Sequence, residues 1–126
     1  MLPVGRRSPR PRSASHLASG RSAERKARLY YLVRGYRILA TNERVGRSEI
    51  DLIVRRGSEL VFCEVKMRSR SDFGRSVEMV SREQEDRVRS AAARWLSARP
   101  RLAGLHVSFE IVGIDGRRIE RIRDAF

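Results

Sequence analysis

Two runs dominate the hydrophobic pattern of the chain, residues 50–54 and 60–65. Both are rich in Ile, Leu, Val and Phe, and Arg56-Gly57-Ser58 separates them. β-Branched and aromatic residues on either side of a Gly-Ser joint predict two strands and a tight turn. Side chains of a strand alternate between its faces. In the first strand Glu49 and Asp51 then share one face, with Ile50, Leu52 and Val54 on the other. In the second, Glu64 and Lys66 lie with Leu60 and Phe62, opposite Val61, Cys63 and Val65.

The flanking segments change period. From Ser22 the apolar positions Ala23, Ala27, Tyr30, Tyr31 and Val33 follow helical spacing, with Ser22 as a cap and Gly35 placed to end the helix. Residues 36–40 read as a short strand and 41–47 as a polar turn. Residues 81–98 predict a second helix, opened by the capping-box spacing of Ser81 and Gln84 and closed by Pro100. Its apolar face is Val88, Ala91, Ala92, Trp95 and Leu96. Residues 106–114 form a further strand, with Val107, Phe109, Ile111 and Gly113 on one face and His106, Ser108, Glu110, Val112 and Ile114 on the other. Gly116 marks a turn before a last strand-like piece, residues 117–122.

The order is helix, three strands, helix, and one or two strands. Short connections predict an antiparallel meander, and the second helix allows a crossover to a parallel strand. The expected fold class is α/β, a mixed sheet flanked by helices.

Composition narrows the setting. The chain has 126 residues, enough for one domain with its own core. Residues 1–21 hold five arginines, three prolines, four serines and no acid, and read as a disordered basic arm ahead of a domain over 22–126. A single cysteine, Cys63, excludes a disulfide framework and a cysteine-ligated zinc site, and suits a reducing cytoplasm. No apolar run approaches the roughly 18 residues of a membrane span, and the basic N-terminus lacks the apolar core of a secretion signal. The net charge of +13, from 28 Lys plus Arg against 15 Asp plus Glu, attracts polyanions, nucleic acid above all. A ribosome-bound or membrane-surface protein carries similar charge, and arginine richness also follows from a GC-rich genome.

The chemistry concentrates at one end of the two central strands, where Glu49, Asp51, Glu64 and Lys66 interrupt apolar runs. Buried charge is costly unless it pairs or holds a metal. A Glu64–Lys66 salt bridge satisfies part of the set, but one lysine leaves excess negative charge. Converging hard oxygen ligands beside a lysine suit a divalent cation that keeps some of its waters. The lysine then orients water or offsets charge on a phosphate. Glu24 is placed along the packed face of the first helix, or is a first-turn glutamate favoured by the helix dipole. After Lys66 comes a loop with Arg68, Arg70, Phe73, Gly74 and Arg75, suited to phosphate contact or to plain solvation. Gln84, in the first turn of its helix, is within reach of the carboxylates. His106 has no ligand-spaced partner in its own segment and reads as structural or surface.

A series of motifs carries a family resemblance. Gly20-Arg-Ser-Ala-Glu24-Arg-Lys-Ala27, Gly35-Tyr36-Arg-Ile-Leu-Ala-Thr-Asn42-Glu-Arg44, Glu49-Ile-Asp51-Leu-Ile53 and Val61-Phe62-Cys-Glu64-Val-Lys66-Met-Arg68 follow in order, then Phe73-Gly74 and Asp124-Ala-Phe126. Over residues 20–126 the series resembles the YraN-type family of uncharacterised bacterial proteins. That family is itself similar to the restriction-endonuclease-like (PD-(D/E)XK) superfamily, including archaeal Holliday-junction resolvases. The resemblance implies a metal-dependent endonuclease acting on DNA, with Mg²⁺ or Mn²⁺ as cofactor. It puts the metal-binding aspartate on Asp51, the Glu-x-Lys pair on Glu64 and Lys66, the helix glutamate on Glu24, and a metal-binding carbonyl on Val65. Glu49 is the further candidate ligand. Arg44, Arg47, Arg68, Arg70, Arg75 and Gln84 are the expected nucleic-acid contacts, and cutting both strands of a junction asks for a symmetric homodimer. This chain departs from the family pattern in three places. Arg47-Ser48 stands where two glycines are usual, Gln84 where a lysine is usual, and Ser108-Phe109-Glu110 where Arg-Phe-Asp is usual. The rival expectations are a non-catalytic nucleic-acid-binding module of the same fold and a basic structural protein.

Overall fold

A computed structural model of the chain describes residues 14–67, 81–115 and 118–126, with side chains from Gly20 onward. The elements are α1 (Ala14–Leu32), β1 (Arg37–Val45), β2 (Ser48–Arg56), β3 (Glu59–Met67), α2 (Arg82–Ser97), β4 (His106–Ile114) and β5 (Ile119–Ile122). The strands form one five-stranded sheet in sequence order. β1–β2, β2–β3 and β4–β5 are antiparallel, and β3–β4 is parallel across the α2 crossover. This is the expected mixed α/β order of helix, meander, helix and strands. Among the described residues no helix is long and apolar enough to cross a membrane.

The sheet buries both faces. On the α1 side Ala23, Ala27 and Tyr31, spaced by one helical turn, pack on Leu52, Val54, Val61, Cys63, Val112 and Ile114. On the α2 side Val88, Ala91, Ala92 and Trp95 pack on Ile50, Ile53, Leu60, Phe62 and Phe109. Phe62 meets Trp95 edge-on at 5.7 Å, while Phe109 stacks on Phe62 and on the C-terminal Phe126. The faces read for β3 and β4 are the ones observed.

Three expectations are corrected. The first helix begins at Ala14, eight residues before Ser22, so Ser22 is an internal residue and Glu24 is not in a first turn. The prolines that exclude helix all lie at or before position 11, whereas residues 14–18 contain the helix formers Ala14, Leu17 and Ala18. Val33 lies beyond the helix end and is 75% exposed. The short strand and polar turn of residues 36–47 are instead one long strand, β1, which continues to Val45. Its polar residues suit an edge strand, and only Gly46 (φ 63°) and Arg47 turn the chain. Gly46 provides the left-handed conformation the turn requires, and the Arg94 side chain packs against it.

The alternation in β2 also breaks. Leu52 and Val54 face α1, but Ile50 joins Ile53 on the α2 side. Pairing with β1 passes from Thr41↔Leu52 to Glu43↔Ile50, skipping Asn42 and Asp51. Asn42 sits at φ 48° in this gap, across which the register is unchanged; the register shift of the ladder lies between Ile38 and Ala40.

Candidate functional site

The centre of interest is the end of the hairpin where β2 and β3 part. Their ladder runs from Arg56↔Glu59 to Leu52↔Cys63 and stops there. The next β3 donor, the Val65 N–H, is taken by a side chain instead: Asp51 Oδ2 accepts it at 2.8 Å. In an extended strand a residue's N–H and C=O point the same way, so the Val65 carbonyl also faces the gap beside Asp51.

Glu64 precedes Val65 and therefore projects to the opposite face, toward α2. It is only 7% exposed. Its Oε2 accepts a 2.8 Å hydrogen bond from Gln84 Nε2, in the first turn of α2. Gln84 is held there because Ser81 caps the helix, accepting from the Gln84 N–H at 3.1 Å. The other oxygen, Glu64 Oε1, is buried and among the described residues has no partner within hydrogen-bond distance, although the Asp51 backbone N–H acts on the same carboxyl. An orphaned carboxylate oxygen is expensive, since a buried acceptor normally finds a donor.

The electrostatics reflect this crowding. Burial and the neighbouring Asp51 push the Glu64 carboxyl up to about 7, against the opposing pull of Lys66 and the Gln84 hydrogen bond. Asp51 is likewise raised, first by burial and then by Glu24 and Glu49, against the Val65 N–H and Lys66. Two desolvated acids thus hold each other's protons on, and Lys66 acts on both through space. No direct ion pair joins Lys66 to Glu64 among the described residues, so the simple salt-bridge reading is not the arrangement found.

The remaining candidates surround this pair. Glu24, half-buried on α1, accepts from Asn42 Nδ2 at 3.4 Å across the skipped pair of the β1–β2 ladder. Glu49 is exposed and lines a cavity of about 230 Å³ together with Arg47, Ser48, Glu64, Gln84 and Arg87. Arg47 thus stands near Glu64, whereas Arg44 is exposed on β1 and does not line that cavity. Gln84 is engaged with Glu64 rather than offered outward. Arg68, Arg70 and Arg75 lie outside the described residues. Arg87, one helical turn after Gln84, was the signal missed in the sequence: the i, i+3 spacing puts it on the same face.

Among the described residues no three His, Cys, Asp or Glu side chains group closely enough to hold a metal ion by themselves. The donor set fits a hard, partly hydrated cation rather than a closed cage. It offers two carboxylates, one with a free buried oxygen, and a backbone carbonyl.

A second buried carboxylate lies elsewhere and is fully satisfied. Glu110, on the α1 side of β4, receives Arg121 in a fork at 2.7 and 2.9 Å and the Tyr31 hydroxyl at 2.7 Å. Arg121 also donates to the Tyr36 hydroxyl, tying β5 to the core. This network has the structural role that the first site lacks.

Residues 23–114 match the profile of the uncharacterised protein family UPF0102, the YraN family. A UPF0102 protein of Halorhodospira halophila is 39% identical over 107 residues, covering 85% of each chain. One of Frankia alni is 40% identical over 114 residues, 86% of this chain and 94% of the relative. One of Alkalilimnicola ehrlichii is 38% identical over 114 residues, 90% of each. Among solved structures, Pyrococcus furiosus SfsA in complex with Ca²⁺ shows a partial likeness, with a TM-score of 0.29 and 13% identity. The match covers 84% of this chain and 61% of SfsA.

Proposed function

We propose, for a chain that belongs to the UPF0102 family, a role as a divalent-cation-dependent nuclease that hydrolyses phosphodiester bonds in DNA. The observation that carries this reading is the parted end of β2 and β3, where half-buried Asp51 and buried Glu64 lie together and Glu64 Oε1 has no partner among the described residues. A structural carboxylate is expected to be satisfied as Glu110 is. A pair with raised proton affinity, one of its oxygens left over, suits a ligand that stabilises the ionised forms.

In this reading Asp51, Glu64 and the Val65 carbonyl hold Mg²⁺ or Mn²⁺, with Glu24 and Glu49 adding negative potential from either side. When bound, the cation supplies Lewis acidity and lowers the pKa of a coordinated water. Lys66 positions the attacking water and offsets charge developing on the phosphate. The Val65 N–H fixes the Asp51 carboxylate, and Gln84 fixes Glu64 without neutralising it. Arg47 and Arg87, beside Glu64, grip the flanking phosphates, and Arg68, Arg70 and Arg75 follow Lys66 closely enough in sequence to join them.

The test is cleavage of labelled duplex, single-stranded, flapped and four-way-junction DNA and of RNA, with Mg²⁺ or Mn²⁺. Wild type is compared with Asp51→Ala and Lys66→Ala. The reading expects metal-dependent cutting that both substitutions abolish while fold and DNA affinity persist. Cutting retained in Asp51→Ala sinks it. A second reading, a binding module without turnover, draws on the lack of a three-residue metal group among the described residues. Binding without cutting in every metal condition favours that alternative.

A further inference from the structure

The same α2-covered side of the sheet holds a larger cavity, of about 660 Å³. It lies toward the far end of α2: Trp95, on its wall, is eleven residues past Gln84, or about 16 Å along the helix. Four arginines line it, Arg37 and Arg55 from the sheet and Arg99 and Arg101 from the segment after α2. The one acid of the lining, Glu43, is already held. Trp95 Nε1 donates to it at 3.0 Å, and Arg99 stands 3.6 Å away while stacking over the indole at 4.0 Å. That leaves a large excess of positive charge in a concave space.

Two of these arginines are set against each other. Arg37 and Arg55 are directly opposite across the β1–β2 ladder, an arrangement in which like charges repel. Arg55 directs its Nε to the Gly57 carbonyl at 2.9 Å, and among the described residues its terminal amino groups have no acceptor. Guanidinium forks match phosphate oxygens, and an anion between them converts the repulsion into attraction. The floor is different in kind: Leu39, Ala40 and Leu102 are half-buried aliphatic residues at the margin of the core. A bare anion has no use for them, whereas a flat ring beside a phosphate does.

We infer that this cavity is a nucleotide site, in which the arginines take phosphate and the Leu39–Ala40–Leu102 floor takes the base. The nucleotide is free or part of a strand, since the recognised chemistry is the same. The site stands independently of any cleavage at Asp51 and Glu64.

Trp95 is the only tryptophan of the chain and lines this cavity, so its fluorescence is a probe at the cavity wall. The probes are dAMP, a single-stranded decanucleotide and inorganic pyrophosphate, titrated into wild type, the Arg37→Ala/Arg101→Ala double variant and, as a control across the sheet, Arg25→Ala on α1. Arg37 and Arg101 are both exposed, so their removal leaves the core untouched. Circular dichroism verifies the fold, and Arg101→Glu alone replaces the double variant if that folds poorly. The expected result is a saturable change with dAMP or the decanucleotide that weakens with added salt. Affinity falls about tenfold or more in the cavity-arginine variants and stays unchanged in Arg25→Ala. A response to dAMP identifies a free-nucleotide site, and a response to the decanucleotide alone identifies a strand site. No saturable change, equal binding by the cavity-arginine variants, or pyrophosphate binding as tightly as the nucleotides overturns the inference.

Discussion

Substitution of Glu64 by glutamine should make the metal-free protein more stable at pH 8, although it removes a side chain from the proposed site. In the folded chain burial and Asp51 raise the Glu64 carboxyl from an ordinary 4.5 to about 7. A carboxyl with a raised folded-state pKa favours folding below its unfolded value, and that contribution is lost as pH climbs through the folded one. At 1.36 kcal/mol per pH unit, the loss between pH 4.5 and 7 is about 3 kcal/mol. It is shared by the Asp51–Glu64 pair and levels off above pH 7. Glutamine keeps an oxygen for Gln84 and carries no charge to desolvate. The Glu64→Gln protein should therefore match wild type near pH 4.5 and exceed it by about 1–3 kcal/mol at pH 8. Urea denaturation at half-unit pH intervals, in chelator, measures the difference between the two proteins, so titrations common to both cancel. Saturating Mg²⁺ should shrink or reverse that advantage at pH 8, because a ligand at 100 times its Kd adds about 2.7 kcal/mol to wild type alone. A difference that is flat with pH, or a variant less stable than wild type at pH 8 in chelator, would refute the reasoning.

Other consequences follow from the second buried carboxylate and the thiol. Arg121→Ala leaves Glu110 charged and buried with the Tyr31 hydroxyl bound and the exposed Arg123 4.0 Å away, and should cost about 3–5 kcal/mol in urea denaturation. A cost under about 1 kcal/mol would show that the fork is not what holds β5. Burial pushes the Cys63 thiol well above its ordinary range, so native protein should resist a thiol reagent at pH 8 and react only on unfolding. Rapid labelling without unfolding would contradict the placement of Cys63 in the core. Ser81→Ala removes the cap that positions Gln84 and should cost about 1 kcal/mol, seen as a lower urea midpoint. An unchanged midpoint would show that the cap contributes nothing.

Much of the site was legible because its residues are local. The Arg56-Gly57-Ser58 joint, the faces of β3 and the Ser81–Gln84 cap each depend on neighbours within a few positions, and period and turn chemistry read them directly. What escaped depends on partners distant in sequence. The polar residues 41–44 look like a turn until Glu43 meets Trp95, fifty-two residues away, and β1 takes its place as an edge strand. Nothing in β2 itself announces that Ile50 turns to the other face. It accompanies the unpaired Asn42 and Asp51 of the β1–β2 ladder, next to the strand end where Asp51 accepts the Val65 N–H. Glu110 read as one polar position on a strand, because its partners come from α1 and β5. The early start of α1 was hidden by averaging composition across the prolines and the alanines that follow them.

The proposed nuclease role requires a cation site at the parted end of β2 and β3. Isothermal titration of Mn²⁺ into wild type, Asp51→Ala and Glu64→Gln at pH 8 tests that claim most directly. It predicts saturable uptake at one site in wild type, with release of protons, and loss of that uptake in both variants. No uptake by wild type, or equal uptake by all three proteins, would contradict it.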